Sequence, residues 1–341
     1  MSLIETNKLL DKAVAKSNIP LRCKSEYMIL RDGTRLAVSF WLDDNKNETK
    51  NILKRPAIVM TTRYWRANAF KDDRPENQFF YRSAAHYHAK GYVFVAVDVR
   101  GTGASFGTRE AEMSLTEVED IGDIVNWVSR QNWCDGRVAT EGVSYTASTA
   151  LYGLVTAAPP LKLCVCRAPD FDGYRHLLAP GGIVNHWFID AWGVSTEALD
   201  SNHVKALMDE GWLPPPSSGA QNLLGVRPVD ADTDGTFLAQ ALLEHKNNFN
   251  LQGYEDSIEF FDNILYDKHR TLFHPEYRQR VEQSGIPMVI RCGWHDAGTQ
   301  LGALVMFATL DAPIRVIIDP WNHTGNRKAD PFTEGDGSIA D

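Results

Sequence analysis

Apolar and polar residues alternate along residues 25–42, SEYMILRDGTRLAVSFWL, on both sides of Asp32-Gly33. A period of two puts one face of each segment against a core, and Asp-Gly between them is a hairpin turn signal, so the pattern predicts a β-hairpin. Three short apolar runs follow: AIVM at 57–60, YVFVAV at 92–97 and RVATEGV at 137–143. Each is bounded by turn or charge signals and suits a strand buried on both faces of a parallel sheet. Between the last two, Leu115, Val118, Ile121, Val125 and Val128 recur at helical spacing. Strand, helix, strand predicts an α/β fold with right-handed crossovers.

After LKLCVCRAP at 161–169 the alternation stops for about 115 residues rich in Trp, Pro and His. Strand-like runs resume at PMVIRCGW (287–294) and IRVIID (314–319). The simplest organisation is a core of residues 1–169 and 286–341, a mostly parallel sheet flanked by helices, interrupted by a helical cap at 170–285. The polar PPPSSGAQN stretch at 214–222 would be a loop within that cap.

Composition narrows the function classes. The 341 residues are 43% hydrophobic and 23% charged with a net charge of −9, an ordinary globular make-up that excludes disorder and collagen-like repeats. No basic block exists to hold nucleic acid or an anionic membrane surface. The longest apolar run, Tyr92–Val97, falls far short of the roughly 18 residues of a membrane span. Glu5, Lys8, Asp11 and Lys12 interrupt the place of a secretory signal. Five scattered cysteines do not form a disulfide framework. These features together predict a cytoplasmic protein. Cys164 and Cys166 share one strand face and read as buried thiols rather than soft-metal ligands. His86-x-His88 and the calcium-loop-like start at Asp230, Asp232 and Asp234 are weighed against metal as well, since Ala241 stands where such a loop needs glutamate. No metal and no cofactor is expected. The glycines of Asp98–Gly107 have the wrong spacing for a nucleotide loop, because Phe106 occupies the third glycine position. Asp98 and Arg100 there are read as part of one ion-pair or hydrogen-bond network.

Chemistry concentrates at Gly142-Val143-Ser144-Tyr145, where a strand should turn into a helix. Serine in that context is either a nucleophile on a tight turn or a helix N-cap. Thr146 replaces the last glycine of G-x-S-x-G. A serine nucleophile needs a base, and the base a third group to orient it. Asp296, in GWHD, and His323, in PWNH, both fall just past predicted strand ends, the edge at which α/β sheets bind ligands. His295 is the competing base, but neighbours on a strand point to opposite sides.

DVRGTGASFG at 98–107, QNW at 131–133, GVSY at 142–145, GWHD at 293–296 and PWNH at 320–323 together resemble the cocaine-esterase-like (CocE/NonD) hydrolases of the X-Pro dipeptidyl-peptidase superfamily. The resemblance implies an α/β-hydrolase core with a helical cap, a Ser144–Asp296–His323 triad, and an oxyanion hole from the Tyr64 hydroxyl and the Tyr145 amide. The expected activity is serine hydrolysis of carboxylic ester or amide bonds in small substrates. The alternatives are an X-Pro dipeptidyl-peptidase-type peptidase, for which Asp170, Asp172 and Asp190 are candidate amine-binding carboxylates, or a catalytically silent binding protein. Trp187, Phe188, Trp192 and Trp212 would line the substrate pocket or form the cap's own core. Relatives continue into a β-rich jelly roll after the histidine, whereas 18 residues remain here. That domain is expected to be absent, leaving an exposed apolar surface suited to homo-oligomer formation.

Overall fold

The computed structural model describes residues 21–43, 53–72, 74, 78–209, 222–252, 274–296, 298–323 and 325. Its centre is an eight-stranded sheet in the order β1-β2-β5-β3-β6-β7-β9-β10. The hairpin forms as the alternation predicts: β1 (Leu21–Ile29) and β2 (Arg35–Asp43) pair antiparallel, with Met28 opposite Leu36. β2 pairs antiparallel with β5 (Val93–Asp98), and every later pairing in this sheet is parallel. β3 (Arg55–Thr62), β6 (Cys134–Val143), β7 (Leu161–Arg167), β9 (Met288–His295) and β10 (Ile314–Asn322) complete it. All of β5 is buried, which explains its unbroken apolar run.

Helices α1 (Tyr81–Ala89), α2 (Leu115–Ser129) and α3 (Tyr145–Thr156) connect the first strands. The Ser114 side chain caps α2 by accepting from the Glu117 N–H at 3.1 Å. From β3 the chain passes to β5 on one side and then to β6 on the other. Strand order reverses there, so the loops after β3 and β6 meet where such sheets bind ligands.

The segment between β7 and β9 includes one π-helical turn (Tyr174–Leu178), α4 (His186–Asp200), α5 (Val204–Asp209) and α6 (Thr236–His245). It also contains a strand, β8 (Leu223–Val226), which the hydrophobic pattern did not reveal. β8 pairs antiparallel with the short β4 (Asn68–Phe70), fastening the insertion to the loop after β3. A further helix, α7 (Pro275–Ser284), carries Tyr277 and Val281 into the main hydrophobic core. α8 (Thr299–Thr309) links β9 to β10.

Several sequence motifs turn out to do local structural work. Asp98 and Arg100 take separate partners: Asp98 accepts from the Arg66 and Ala104 amides, while Arg100 grips Asp120 through Nε and Nη2 at 2.8 and 2.9 Å. Asp232 accepts from the Phe237 and Leu238 amides at the start of α6, and Asp230 holds Ser25 of β1. Those carboxylates brace loops. His88 pairs with Asp43. Cys164 and Cys166 do share a face, their sulfurs 3.2 Å apart in the core. Trp212 and residues 214–221 lie outside the described residues.

Two glycines separate strain from collision. Gly103 lies at φ 57°, and a Cβ there would fall 2.3–2.7 Å from the Asp98 carboxylate; Gly33, at φ 87°, has nothing within 4 Å. Gly33→Ala is expected to cost about 1–2 kcal/mol from conformation alone. Gly103→Ala must also displace a buried carboxylate and should cost about 3 kcal/mol or more. Urea midpoints of the two variants check this; equal shifts would show that the Asp98 cradle is not tight.

Candidate active site

β6 ends at Val143 and α3 begins at Tyr145, leaving Ser144 on the turn at φ 58°, ψ −128°. A side chain at position 142 would collide with this turn, since its Cβ would lie 2.2 Å from the Thr146 carbonyl atoms. The loss of the last glycine has a local explanation. Thr146 folds its hydroxyl back onto the turn, where Oγ1 accepts from the Val143 N–H at 2.7 Å and lies 2.8 Å from the Val143 carbonyl. Ser144 occupies the N-cap position of α3, yet its side chain makes no capping hydrogen bond. Its amide donates to Arg167 O at 3.0 Å, tying the turn to the end of β7.

Asp296 follows β9 and His323 follows β10, and His323 Nδ1 lies 2.7 Å from Asp296 Oδ1. Asp296 is 1% exposed, and the Thr299 hydroxyl donates to its other oxygen at 2.7 Å. The competing His295 points to solvent. The hydrogen bond to Asp296 raises the His323 pKa, and burial opposes it. No hydrogen bond joins Ser144 Oγ to His323 in this structure. What connects the two is Asp170, just beyond β7: its amide donates to Ser148 Oγ at 2.8 Å on the first turn of α3, and its carboxylate lies within electrostatic reach of His323 and Asp296. Burial pushes the Asp170 pKa up to about 6. Of the other two carboxylates, Asp172 pairs with Arg175 and Asp190 is exposed.

Tyr64, just after β3, and Tyr145 pack edge to face, with centroids 6.0 Å apart. The Tyr145 amide is the first N–H of α3, a group with no intrahelical acceptor and at the positive end of the helix dipole. Trp192 Nε1 donates to the Tyr64 oxygen at 3.3 Å, and burial pushes the phenol pKa up to about 12. Tyr64 thus keeps its proton through the working pH range. Trp192 stacks on Phe188, with centroids 5.9 Å apart, so these two α4 residues join the tyrosines. Trp187 is 80% exposed and takes no part in that stack.

Beneath the aromatic group lies a buried charge cluster that residue patterns did not disclose. Arg63 sits 4.6 Å from the Trp192 ring centroid and pairs with Glu112, while Arg109 Nη2 meets Asp200 Oδ2 at 2.5 Å. Asn248 donates to the same Asp200 oxygen at 2.9 Å. The Tyr145 hydroxyl donates to Glu117, whose pKa burial pushes up to about 7. The only sequence hint was position: Arg63 precedes Tyr64, and Glu117 stands three residues after the α2 cap.

A family model described as X-Pro dipeptidyl-peptidase (S15 family) matches residues 32–325. The chain is 32% identical over 346 residues to a Mycobacterium bovis protein named "Putative serine esterase", covering 92% of this chain and 53% of that one. It is 25% identical over 310 residues to the cocaine esterase of a Rhodococcus species, covering 88% and 49%. A CocE/NonD family hydrolase from Staphylococcus aureus superposes with a TM-score of 0.58 at 17% identity, covering 89% of this chain and 50% of that one. The fold is thus that of the α/β-hydrolases, and the chain spans about half the length of the curated relatives it matches.

A base must be neutral to accept a proton, and Asp296 and Asp170 both favour the charged form of His323 while Arg167 opposes it. Any reaction that uses His323 as base should lose rate as pH falls through a raised histidine pKa. Asp296→Asn should move that acid limb to lower pH and reduce kcat by roughly 10⁴. A pH–rate profile with an unmoved limb would remove His323 from the base role.

Proposed function

Since the chain belongs to the X-Pro dipeptidyl-peptidase (S15) family, we propose that it is a serine hydrolase cleaving carboxylic ester or amide bonds of small substrates through an acyl-enzyme on Ser144. The observation that carries this reading is the strained serine between β6 and α3, with the hydrogen-bonded His323–Asp296 pair at the same edge of the sheet. In this mechanism Ser144 Oγ attacks the acyl carbon as His323 Nε2 takes its proton. The carbonyl oxygen gains negative charge and is held by the Tyr64 hydroxyl and the Tyr145 amide. Collapse breaks the bond to the leaving alcohol or amine, which takes the proton from His323. Water then repeats the sequence on the acyl-enzyme. Asp296 holds the imidazole tautomer throughout. Phe188 and Trp192 form an apolar wall beside the oxyanion position, suited to an acyl or alcohol group.

Ester substrates are favoured, because the two relatives described above are named as esterases. Peptidase action is the second reading, and Asp170 favours it: a buried carboxylate close to His323 would receive a substrate ammonium group. We place the protein in the reducing cytoplasm, a reading supported by its five free cysteines. Among the described residues, no helix is long and apolar enough to cross a membrane.

A short-chain nitrophenyl ester should be turned over, and a fluorophosphonate should label Ser144. Ser144→Ala should abolish labelling and lower kcat by roughly 10⁶. Tyr64→Phe should lower it by about 10²–10³ while labelling persists. Hydrolysis unaffected by Ser144→Ala would refute the mechanism. In a panel of aminoacyl amides, Asp170→Asn should raise KM only for substrates with a free amine; an equal change for acylated analogues would exclude the peptidase reading.

A further inference from the structure

Among the described residues the large sheet ends at β10, with no strand on its outer side. The ladder with β9 determines which backbone groups face that edge. Met288 N–H donates to Pro313 O at 2.8 Å, and Ile314 stands level with Met288. In a parallel ladder this directs residues 315, 317 and 319 toward β9 and turns the N–H and C=O of Ile314, Val316 and Ile318 outward. The ladder shifts register between Asp319 and Asn322, so the regular outward series ends at Ile318. The side chains of Ile314, Val316 and Ile318 pack against the main core. Arg315 and Asp319 are exposed on the other face, with Ile317 half-buried between them.

Charges on an edge strand ordinarily discourage pairing. Here their order is self-complementary. The geometry points to a homodimer in which two copies of β10 pair antiparallel about a two-fold axis at Ile317. Val316 then faces Ile318 of the second copy; both are outward-facing residues, so each such pair exchanges two backbone hydrogen bonds. Pro320, which has no N–H, falls where the β10 ladder shifts register, beyond the regular paired segment, so little is lost there. Arg315 faces Asp319 of the second copy, twice, and Ile317 meets itself on the axis. Moving the axis to residue 316 or 318 would set Ile317 or Trp321 opposite Arg315 and leave both charges unmatched, so the charges select the register.

A second observation fits the same partner. α8 packs on β9 and β10 at this edge. Leu301, Leu304 and Phe307, three residues apart along it, are 52%, 41% and 59% exposed. Such a stripe beside an open strand edge is a combination that isolated chains avoid. The proposed axis brings the α8 of the second copy alongside, at the roughly 8–10 Å spacing of packed helices. The inference does not depend on the hydrolase reading.

Sedimentation equilibrium of the 341-residue chain at micromolar concentration tests it and should give a dimer. Arg315→Asp and Asp319→Arg each place like charges opposite one another twice and should weaken the dimer at least tenfold. The double variant R315D/D319R should restore it. Ile317→Cys should yield a covalent dimer on mild oxidation, because opposed residues of this kind lie about 4.5 Å apart at Cα; Arg315→Cys, facing Asp319, should not. If the charge variants fail to fold, the Ile317→Cys cross-link decides. A monomer throughout the concentration range, a dimer indifferent to the single swaps or not rescued by the double one, or equal cross-linking at 315 and 317 would overturn the proposal.

Discussion

Ser144 is held at φ 58°, ψ −128°, a conformation that costs a non-glycine residue on the order of 1–3 kcal/mol, and the rest of the site depends on that turn. Without the positive φ, the hydroxyl would lie along the strand and the first amides of α3 would point elsewhere. The constraint is supplied from several sides: Gly142 leaves room for the Thr146 carbonyl, Thr146 Oγ1 grips Val143, and Arg167 O accepts the Ser144 amide. Behind the turn, α3 is buried from Tyr145 to Val155, packed against the sheet, α2 and α7. A helix buried nearly all round has no solvent face toward which it could rotate to relieve the strain.

A second constraint is electrostatic. Arg63 belongs to the loop after β3, Arg109 to the loop before α2, Asp200 to the end of α4 and Asn248 to the loop after α6. Their mutual contacts join four separate chain segments beneath Trp192 and Tyr64. Buried ion pairs are poor sources of net stability, because desolvation offsets much of the attraction. Breaking one partner strands the other charge, however, so such a cluster resists any sliding of α4 over the core. The aromatic wall and the proposed oxyanion donor thereby keep their mutual position even though they come from residues 64, 145 and 192.

Strands and helices of the core were legible because their burial pattern is written in a simple form: a period of two for the hairpin, unbroken apolar runs for β3 and β5, helical spacing for α2. The insertion was less so. β8 is four residues long with a glycine inside it, and its pairing with β4 is a long-range event that no local period records. The α7 segment PEYRQRVEQS is mostly polar, so its membership of the core rests on Tyr277 and Val281 alone. Asp296 and His323 were legible because each follows an apolar strand. Asp170 follows one too, after β7, but nothing local distinguishes it from Asp172. Only the fold, which turns one toward Ser148 and the other toward Arg175, separates them. Nothing local marks Arg63, Arg109 and Glu117 as buried; tertiary contacts bury them.

The histidine's environment is a balance of charges arriving on neighbouring strands. Arg167 and Arg291 stand level with one another on β7 and β9, and burial together with this like-charge contact lowers the Arg167 pKa. Both sit just before the strand ends that carry Asp170 and Asp296. The arginine on β7 therefore opposes protonation of His323 while the two carboxylates favour it. The direct hydrogen bond that His323 donates to Asp296 decides the sign, because it acts at contact distance, whereas Asp170 and Arg167 act through space and with opposite signs. Asp170 is itself within reach of protonation near pH 6. Protonating it would remove its support for the imidazolium, so a charged Asp170 and a charged His323 favour one another. Groups that follow three different strands, β7, β9 and β10, thus set the charge on one imidazole.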